Sequence, residues 1–297
     1  MAGKLYLCAT PIGNLEDMTF RAIRILQEVD LIAAEDTRNS IKLLNHFEIH
    51  TPMTSYHEYN KYDKGRELVQ KLLAGTNIAL ITDAGTPGIS DPGEELVKMA
   101  YEAGIEVTSL PGACACVTAL TLSGLSTRRF VFEAFLPPDK KEHKLALERL
   151  KNETRTMIVY EAPHHLLKTL RELLETMGNR RLTLCRDLTT AFGTERSITL
   201  CRELTKKHET AWQTTIEDAI TRYEQEDPKG ECVLVIEGRS QKEIEDEAKA
   251  AFEEISIEEH MKRYEDQGIA RKEAMKLVAK DRGVTKRDIY QYLLGKE

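Results

Sequence analysis

The sequence predicts an α/β protein: two α/β units followed by a small helical C-terminal segment. Three observations predict it. Short apolar runs alternate with amphipathic stretches through the first 120 residues, a second such series begins after Gly124 and Pro137-Pro138, and from Ile269 onward helical periodicity is broken once, at Gly283. A length of 297 residues suits two domains with an appendage, with boundaries expected at 1–120, 121–240 and 241–297.

Residues 5–9 (Leu-Tyr-Leu-Cys-Ala) form an apolar run of strand length, and residues 20–26 have helical spacing behind Thr19, a capping residue. Residues 31–34 are a second strand, followed by a helix over 38–46. Further strands are expected at 78–82 and 105–110, with a helix over 94–100 whose stop is Gly104. Apolar strands separated by amphipathic helices build a parallel sheet with helices on both faces, and ligands sit beyond the carboxyl ends of such strands. In the second unit strands are expected at 130–135, 156–160, 182–185 and 232–236, and helices over 140–151, 164–177 and 214–224. Residues 239–254 carry six acids and three bases and read as a solvated linker helix. The octapeptide at 182–189 recurs in degenerate form at 198–205. Two copies are too few for a solenoid, and a paired-strand extension around Phe192-Gly193 accounts for them.

Composition narrows the function classes. With 41% hydrophobic and 31% charged residues, the chain is neither collagen-like, low-complexity nor wholly disordered. No apolar run approaches the roughly 18 residues of a membrane span, and Met1-Ala2-Gly3-Lys4-Leu5 lacks the pattern of a secretory leader. Six scattered cysteines, without Cys-x-x-Cys or a Cys/His grouping, point to core residues of a reducing cytoplasm and to no metal site. A net charge of −7 means that any nucleic-acid surface is local.

Three loops after first-unit strands are candidates for chemistry: Thr10-Pro11-Ile12-Gly13-Asn14-Leu15, the run from Asp83 to Gly93 that contains Gly85 and Pro87, and Pro111-Gly112-Ala113-Cys114. Glycines let backbone approach a ligand and offer it amide hydrogens. Neither Gly-x-Gly-x-x-Gly nor a phosphate-binding P-loop motif is present. Ala34-Glu35-Asp36-Thr37-Arg38 places two acids and a base at a strand end, where Asp36 and Arg38 either serve a site or simply pair with each other. His57, beside Glu58, is a candidate general base. His164 and His165 have no third ligand at metal spacing. In the tail, residues 269–279 form an amphipathic helix and Thr285 caps another, a helix-turn-helix pattern. From Arg271 to Arg287 there are seven bases against two acids, so this face either contacts nucleic acid or is merely solvated.

In order along nearly the whole chain, these segments resemble the tetrapyrrole-methylase-type S-adenosylmethionine-dependent methyltransferases. Besides the three loops, the resemblance rests on Ala34–Arg38, Phe132-Glu133-Ala134-Phe135-Leu136-Pro137, Tyr160-Glu161-Ala162-Pro163-His164, Arg202-Glu203-Leu204-Thr205-Lys206 and the run Lys229 to Gly238. His165 stands where the family pattern has arginine, and the second Arg-Glu/Asp-Leu-Thr copy is an addition. Within the family the chain is most similar to the branch that 2′-O-methylates a cytidine of 16S rRNA in the decoding region, cytidine 1402 in customary numbering.

The resemblance implies two α/β domains with S-adenosyl-L-methionine bent in the cleft between them. It implies that Pro11, Gly13, Asp83, Ala84, Gly85, Pro87, Pro111 and Gly112, with Tyr160, Glu161, Gly230 and Glu231, surround the cofactor. It also implies a cytoplasmic homodimer that acts on rRNA within the 30S subunit, contacted by Arg38, Arg271, Lys272, Lys276, Lys286 and Arg287. The sulfonium methyl is already electrophilic, so the enzyme must align the ribose oxygen and take its proton. Asp36, His57, Glu161 and Lys206 are the candidates. Two other functions compete: a tetrapyrrole-precursor C-methyltransferase, which should lack the basic tail and the Glu-Asp-Thr-Arg segment, and a nucleotide-sensing regulator whose tail reads DNA.

Overall fold

Five short strands make the first sheet: β1 (Leu5–Cys8), β2 (Leu31–Ala34), β3 (Met53–Ser55), β4 (Ile78–Ile81) and β5 (Val107–Leu110). All pair in parallel, in the order β3-β2-β4-β1-β5. The structure, a computed structural model, describes residues 1–186, 210–228, 232–244 and 255–294. Alternate strand residues serve opposite faces. Cys8, Ile32, Ala79 and Ile81 pack on α1 (Phe20–Glu28) and α2 (Thr37–His46). Leu5, Leu7, Ile78 and Leu80 pack on α3 (Lys61–Leu73) and α4 (Gly93–Glu102). Burial on both faces explains why β1, β2 and β4 read as continuous apolar runs. Thr19 caps α1 by accepting from the Ala22 amide at 3.1 Å. The strand order places β4, β1 and β5 side by side, so the three candidate loops leave one edge of the sheet together.

The second sheet holds β6 (Phe130–Phe135), β7 (Thr156–Glu161), β8 (Arg181–Arg186), β9 (Thr210–Thr215) and β10 (Cys232–Ile236), in the order β6-β7-β10-β8-β9. Only β6 and β7 are parallel; the other pairs are antiparallel. One face is covered by α6 (Lys140–Lys151), α7 (Leu166–Met177) and α8 (Ile216–Tyr223) around Leu170, Leu173, Leu234 and Ile236. The other receives α5 (Ala115–Leu122), whose Ala115, Cys116, Ala119 and Leu120 pack on Ile158, Val233 and Val235. That one helix joins the two sheets. β9 replaces the start of the helix expected from 214, because Thr215 is the cap: its hydroxyl accepts from the Asp218 amide at 3.2 Å. The first near-repeat copy is largely β8; the second copy and the Phe192-Gly193 connection lie outside the described residues.

Residues 1–237 form one compact unit and 238–297 another. The smaller unit contains α9 (Ile257–Glu265), α10 (Arg271–Asp281) and α11 (Lys286–Leu294), packed around Met261, Ala274, Val278 and Ile289. Thr285 and Asp288 cap α11 reciprocally: the Thr285 hydroxyl accepts from the Asp288 amide at 3.2 Å, and the Asp288 carboxylate accepts from the Thr285 amide at 2.8 Å. α9 was not expected from the sequence, and most of the acidic linker, 245–254, lies outside the described residues. Among the described residues no helix is long and apolar enough to cross a membrane.

Candidate active site

The loops after β1, β4 and β5 are tied to one another. Thr10 and Gly85 form a two-residue antiparallel bridge, the Thr10 amide donating to the Gly85 carbonyl at 2.9 Å and the Gly85 amide returning to Thr10 at 3.1 Å. The Thr86 hydroxyl donates to the Ala113 carbonyl at 2.9 Å. Gly85 has φ +85°, and a Cβ there would meet Ile12 Cγ2 at 3.2 Å and the Ala113 carbonyl oxygen at 3.4 Å. At Gly112 a Cβ would lie 2.5 Å from that of Ala9. Asp91 draws the amides of Gly88, Ile89 and Gly93 onto its carboxylate, which burial pushes above its ordinary range. The amides of Gly85, Gly88 and Gly93 are thus spent inside the protein. This corrects the expectation that these loop glycines offer their amides to a ligand; they let three loops approach one another.

Between these loops and the second sheet lies a cavity of about 210 Å3. Its first-sheet wall is Glu35 and the loop from Thr82 to Asp91, with Cys114 and Ala115; its other wall is Phe135 and Tyr160. Tyr160 fixes the approach, since its hydroxyl accepts from the Cys116 amide at 3.0 Å and its ring meets Phe132 and Phe135 edge-on. The Glu35 carboxylate accepts from the Thr82 hydroxyl at 2.6 Å. Of the expected cofactor residues, Asp83, Ala84, Gly85 and Tyr160 line the cavity. Pro11 and Pro87 are buried and, like Gly13, Pro111 and Gly112, belong to the same loop cluster without lining the cavity. Gly230 and Glu231, like the candidate base Lys206, lie outside the described residues.

Phe135 is shared with a larger groove of about 780 Å3 on the second sheet. Lys140, Lys144 and Lys168 line it, with His143, His164 and His165. His143 bridges the Pro137 carbonyl and the Glu172 carboxylate, at 3.0 Å each. Glu161 lines this groove and not the cavity; it is 7% exposed and accepts from the Ala162 amide and the Thr169 hydroxyl.

The remaining candidates stand apart. Asp36 caps α2, accepting from the Arg38 amide at 2.8 Å, and its carboxylate is held below the usual range by the Arg38 guanidinium. Arg38 is itself almost fully exposed. His57 lies after the edge strand β3 and lines neither recess. The Asn60 amide group meets its Nε2 at 3.3 Å, and its buried Nδ1 has no partner. In the tail Arg271, Lys272 and Arg287 are exposed and Lys276 pairs with Glu273 at 2.9 Å. Arg282, one of the seven tail bases, donates to His260 Nδ1 and to the carbonyls of Ile255 and Ser256, tying α10 to the start of α9. Glu35 lines the cavity, although sequence reasoning gave the site role in its segment to Asp36 and Arg38. Its signal was present, as the acid directly before the capping Asp36. Among the described residues no group of three or more His, Cys, Asp or Glu is placed to hold a metal ion.

The sequence profile of the tetrapyrrole (corrin/porphyrin) methylases matches residues 4–220, which take in the first sheet, β6 to β9 of the second and every residue lining the cavity. The chain belongs to the tetrapyrrole methylase family. Among solved members of this fold, uroporphyrin-III C-methyl transferase from Thermus thermophilus, complexed with S-adenosyl homocysteine, aligns with a TM-score of 0.52 at 17% identity, over 78% of this chain and 97% of its own. Diphthine synthase aligns with a TM-score of 0.57 at 11% identity, over 79% and 90%. Two curated relatives are much nearer in sequence, both named ribosomal RNA small subunit methyltransferase I. That of Halalkalibacterium halodurans is 49% identical and that of Bacillus subtilis 46%, each covering 97% of this chain and 93% of the relative.

Proposed function

We propose that this tetrapyrrole methylase is an S-adenosylmethionine-dependent methyltransferase that methylates the ribose 2′-hydroxyl of a cytidine in 16S rRNA, working as a cytoplasmic homodimer on the 30S subunit. One observation carries the reading. The family profile ends at residue 220 and the structural neighbours cover about four-fifths of the chain, whereas the curated rRNA methyltransferases match 97% of it, basic tail included. A tetrapyrrole-precursor enzyme has no need of that tail.

The cavity walls fit the methyl donor. Glu35 and Asp83 offer carboxylates for hydroxyl or ammonium hydrogens, and Tyr160 and Phe135 offer ring faces for a purine. S-adenosylmethionine supplies a methyl group already activated on sulfur. The chain's part is to orient it, exclude water and present the ribose oxygen in line. Of the four candidates for the ribose proton, Asp36 is committed to the α2 cap and Arg38, and Glu161 to Thr169 and Ala162. His57, which lines neither recess, and Lys206 stay candidates for that proton. The lysines of the second groove, Lys140 and Lys144 one helical turn apart on α6, offer charge to phosphates flanking the target nucleotide.

Labelled S-adenosylmethionine, offered with purified 30S subunits, naked 16S rRNA or a tetrapyrrole precursor, tests the reading. Label on a cytidine ribose of 30S-borne rRNA is expected. Label in the tetrapyrrole, or in no RNA, overturns it.

A further inference from the structure

The wall of the cavity contains a pair of thiols that methyl transfer leaves unused. Cys114 ends the loop after β5, occupies the N-cap position of α5 and lines the cavity. Cys116 lies in the first turn of the same helix, buried against the second sheet. Their sulfurs are 3.4 Å apart, a hydrogen-bond contact for sulfur and roughly 1.4 Å beyond the length of a disulfide bond.

Their surroundings divide the pair into unequal partners. The hydrogen-bond contact with the Cys116 sulfur and a second hydrogen bond from the Val117 amide together draw the Cys114 thiol down to about 6. The same contact, with burial, pushes Cys116 far up. Cys8, Cys185 and Cys232 are essentially inaccessible, and burial raises the Cys8 thiol to about 12.

We propose that Cys114 is an oxidation site and Cys116 its resolving thiol, so that a hydroperoxide turns the pair into an intramolecular disulfide in the cavity wall. The Cys114 thiolate attacks the peroxide oxygen, the O–O bond breaks, sulfur becomes a sulfenic acid and the departing alkoxide takes up the proton. The Cys116 sulfur then displaces hydroxide, which leaves as water with the second thiol proton. Two thiols and one hydroperoxide give one disulfide, one alcohol and one water, with two electrons passing from the sulfurs to the peroxide. Closing the gap between the sulfurs must shift the first turn of α5, where the Cys116 amide holds the Tyr160 hydroxyl. Oxidation therefore distorts both walls at once. Only this effect on binding rests on the proposed donor site; formation of the bond does not.

The full-length protein is treated with a small excess of hydrogen peroxide, alkylated without reductant and digested, and the peptide carrying both cysteines is weighed. It should lose two hydrogens, escape alkylation and recover both thiols with dithiothreitol. In Cys116→Ser the Cys114 sulfenic acid should accumulate and be trapped by dimedone. In Cys114→Ser loss of thiol from this peptide should slow at least tenfold. Alkylation of both cysteines after peroxide treatment, or faster oxidation at Cys8 than at Cys114, overturns the proposal. Saturating S-adenosylhomocysteine should slow the oxidation. A disulfide that forms equally fast with and without it upholds the thiol pair and counts against the donor site.

Discussion

Glu35 and Asp36 are neighbours in the chain with divergent surroundings. Asp36 stops the backbone from entering α2 one residue early and spends its carboxylate on the Arg38 amide and guanidinium, while Glu35 faces the cavity beside Thr82. Asp36→Ala should therefore cost about 1 kcal/mol of stability, the usual value of a lost cap, in a urea titration, with methyl-donor affinity unchanged in calorimetry. Glu35→Ala should weaken donor affinity about tenfold or more, as expected for losing a hydrogen bond to a charged group. Gly85 gives a second test. Any side chain there must adopt φ +85° and press on Ile12 and the Ala113 carbonyl, so Gly85→Ala should cost about 1–2 kcal/mol through backbone conformation alone. It should lower the melting temperature of the ligand-free protein, not only its affinity for the donor. The sequence showed that something happens at 34–38. It did not show which acid faces the cavity, because that turns on where the helix starts to within one residue.

At the scale of elements, β1, β2 and β4 were legible because burial on both faces makes a strand uniformly apolar. β3 (Met-Thr-Ser) and β9 (Thr-Ala-Trp-Gln-Thr-Thr) are sheet edges, polar and half-covered, and carried no such signal. The tail helices were legible through Gly283 and Thr285, but their seven bases were not equivalent. Arg282→Ala should strip the cross-link from His260 and two carbonyls and raise amide hydrogen exchange throughout 257–294. Arg271→Ala and Lys272→Ala should leave exchange unchanged and each reduce the log–log salt slope of rRNA binding by about one. The same network predicts a pH response. His260 is buried among Arg282, Asp281 and Arg263, and burial lowers its imidazole below the ordinary 6.5. The unfolded tail thus binds a proton that the folded tail refuses, and its stability should fall as pH drops from about 6.5 through that lowered value. Exchange at 257–294, corrected for intrinsic rates, should rise over that window and stay level above it.

For the whole molecule, α5 makes the two sheets of residues 1–237 parts of one hydrophobic body: a first-sheet loop leads into a helix that completes the second sheet's core. The sequence announced two strand-and-helix series. It did not announce this joint: no helix was expected over 115–122, a stretch without an amphipathic stripe to mark one. A chain ending after residue 237 should retain cooperative unfolding and donor binding, since all four cores of the larger unit precede that point. A chain ending at 231 should aggregate. The reason lies in the order of synthesis. β10 is among the last parts of the larger unit to be made, yet it sits in the middle of its sheet, between β7 and β8. While the ribosome is still making the chain, each of those two strands presents one open edge, the condition that invites aggregation. The second sheet can therefore close only when translation has passed Ile236, so a nascent chain that stalls shortly before that residue is a substrate for chaperones, and one that stalls well past it is not.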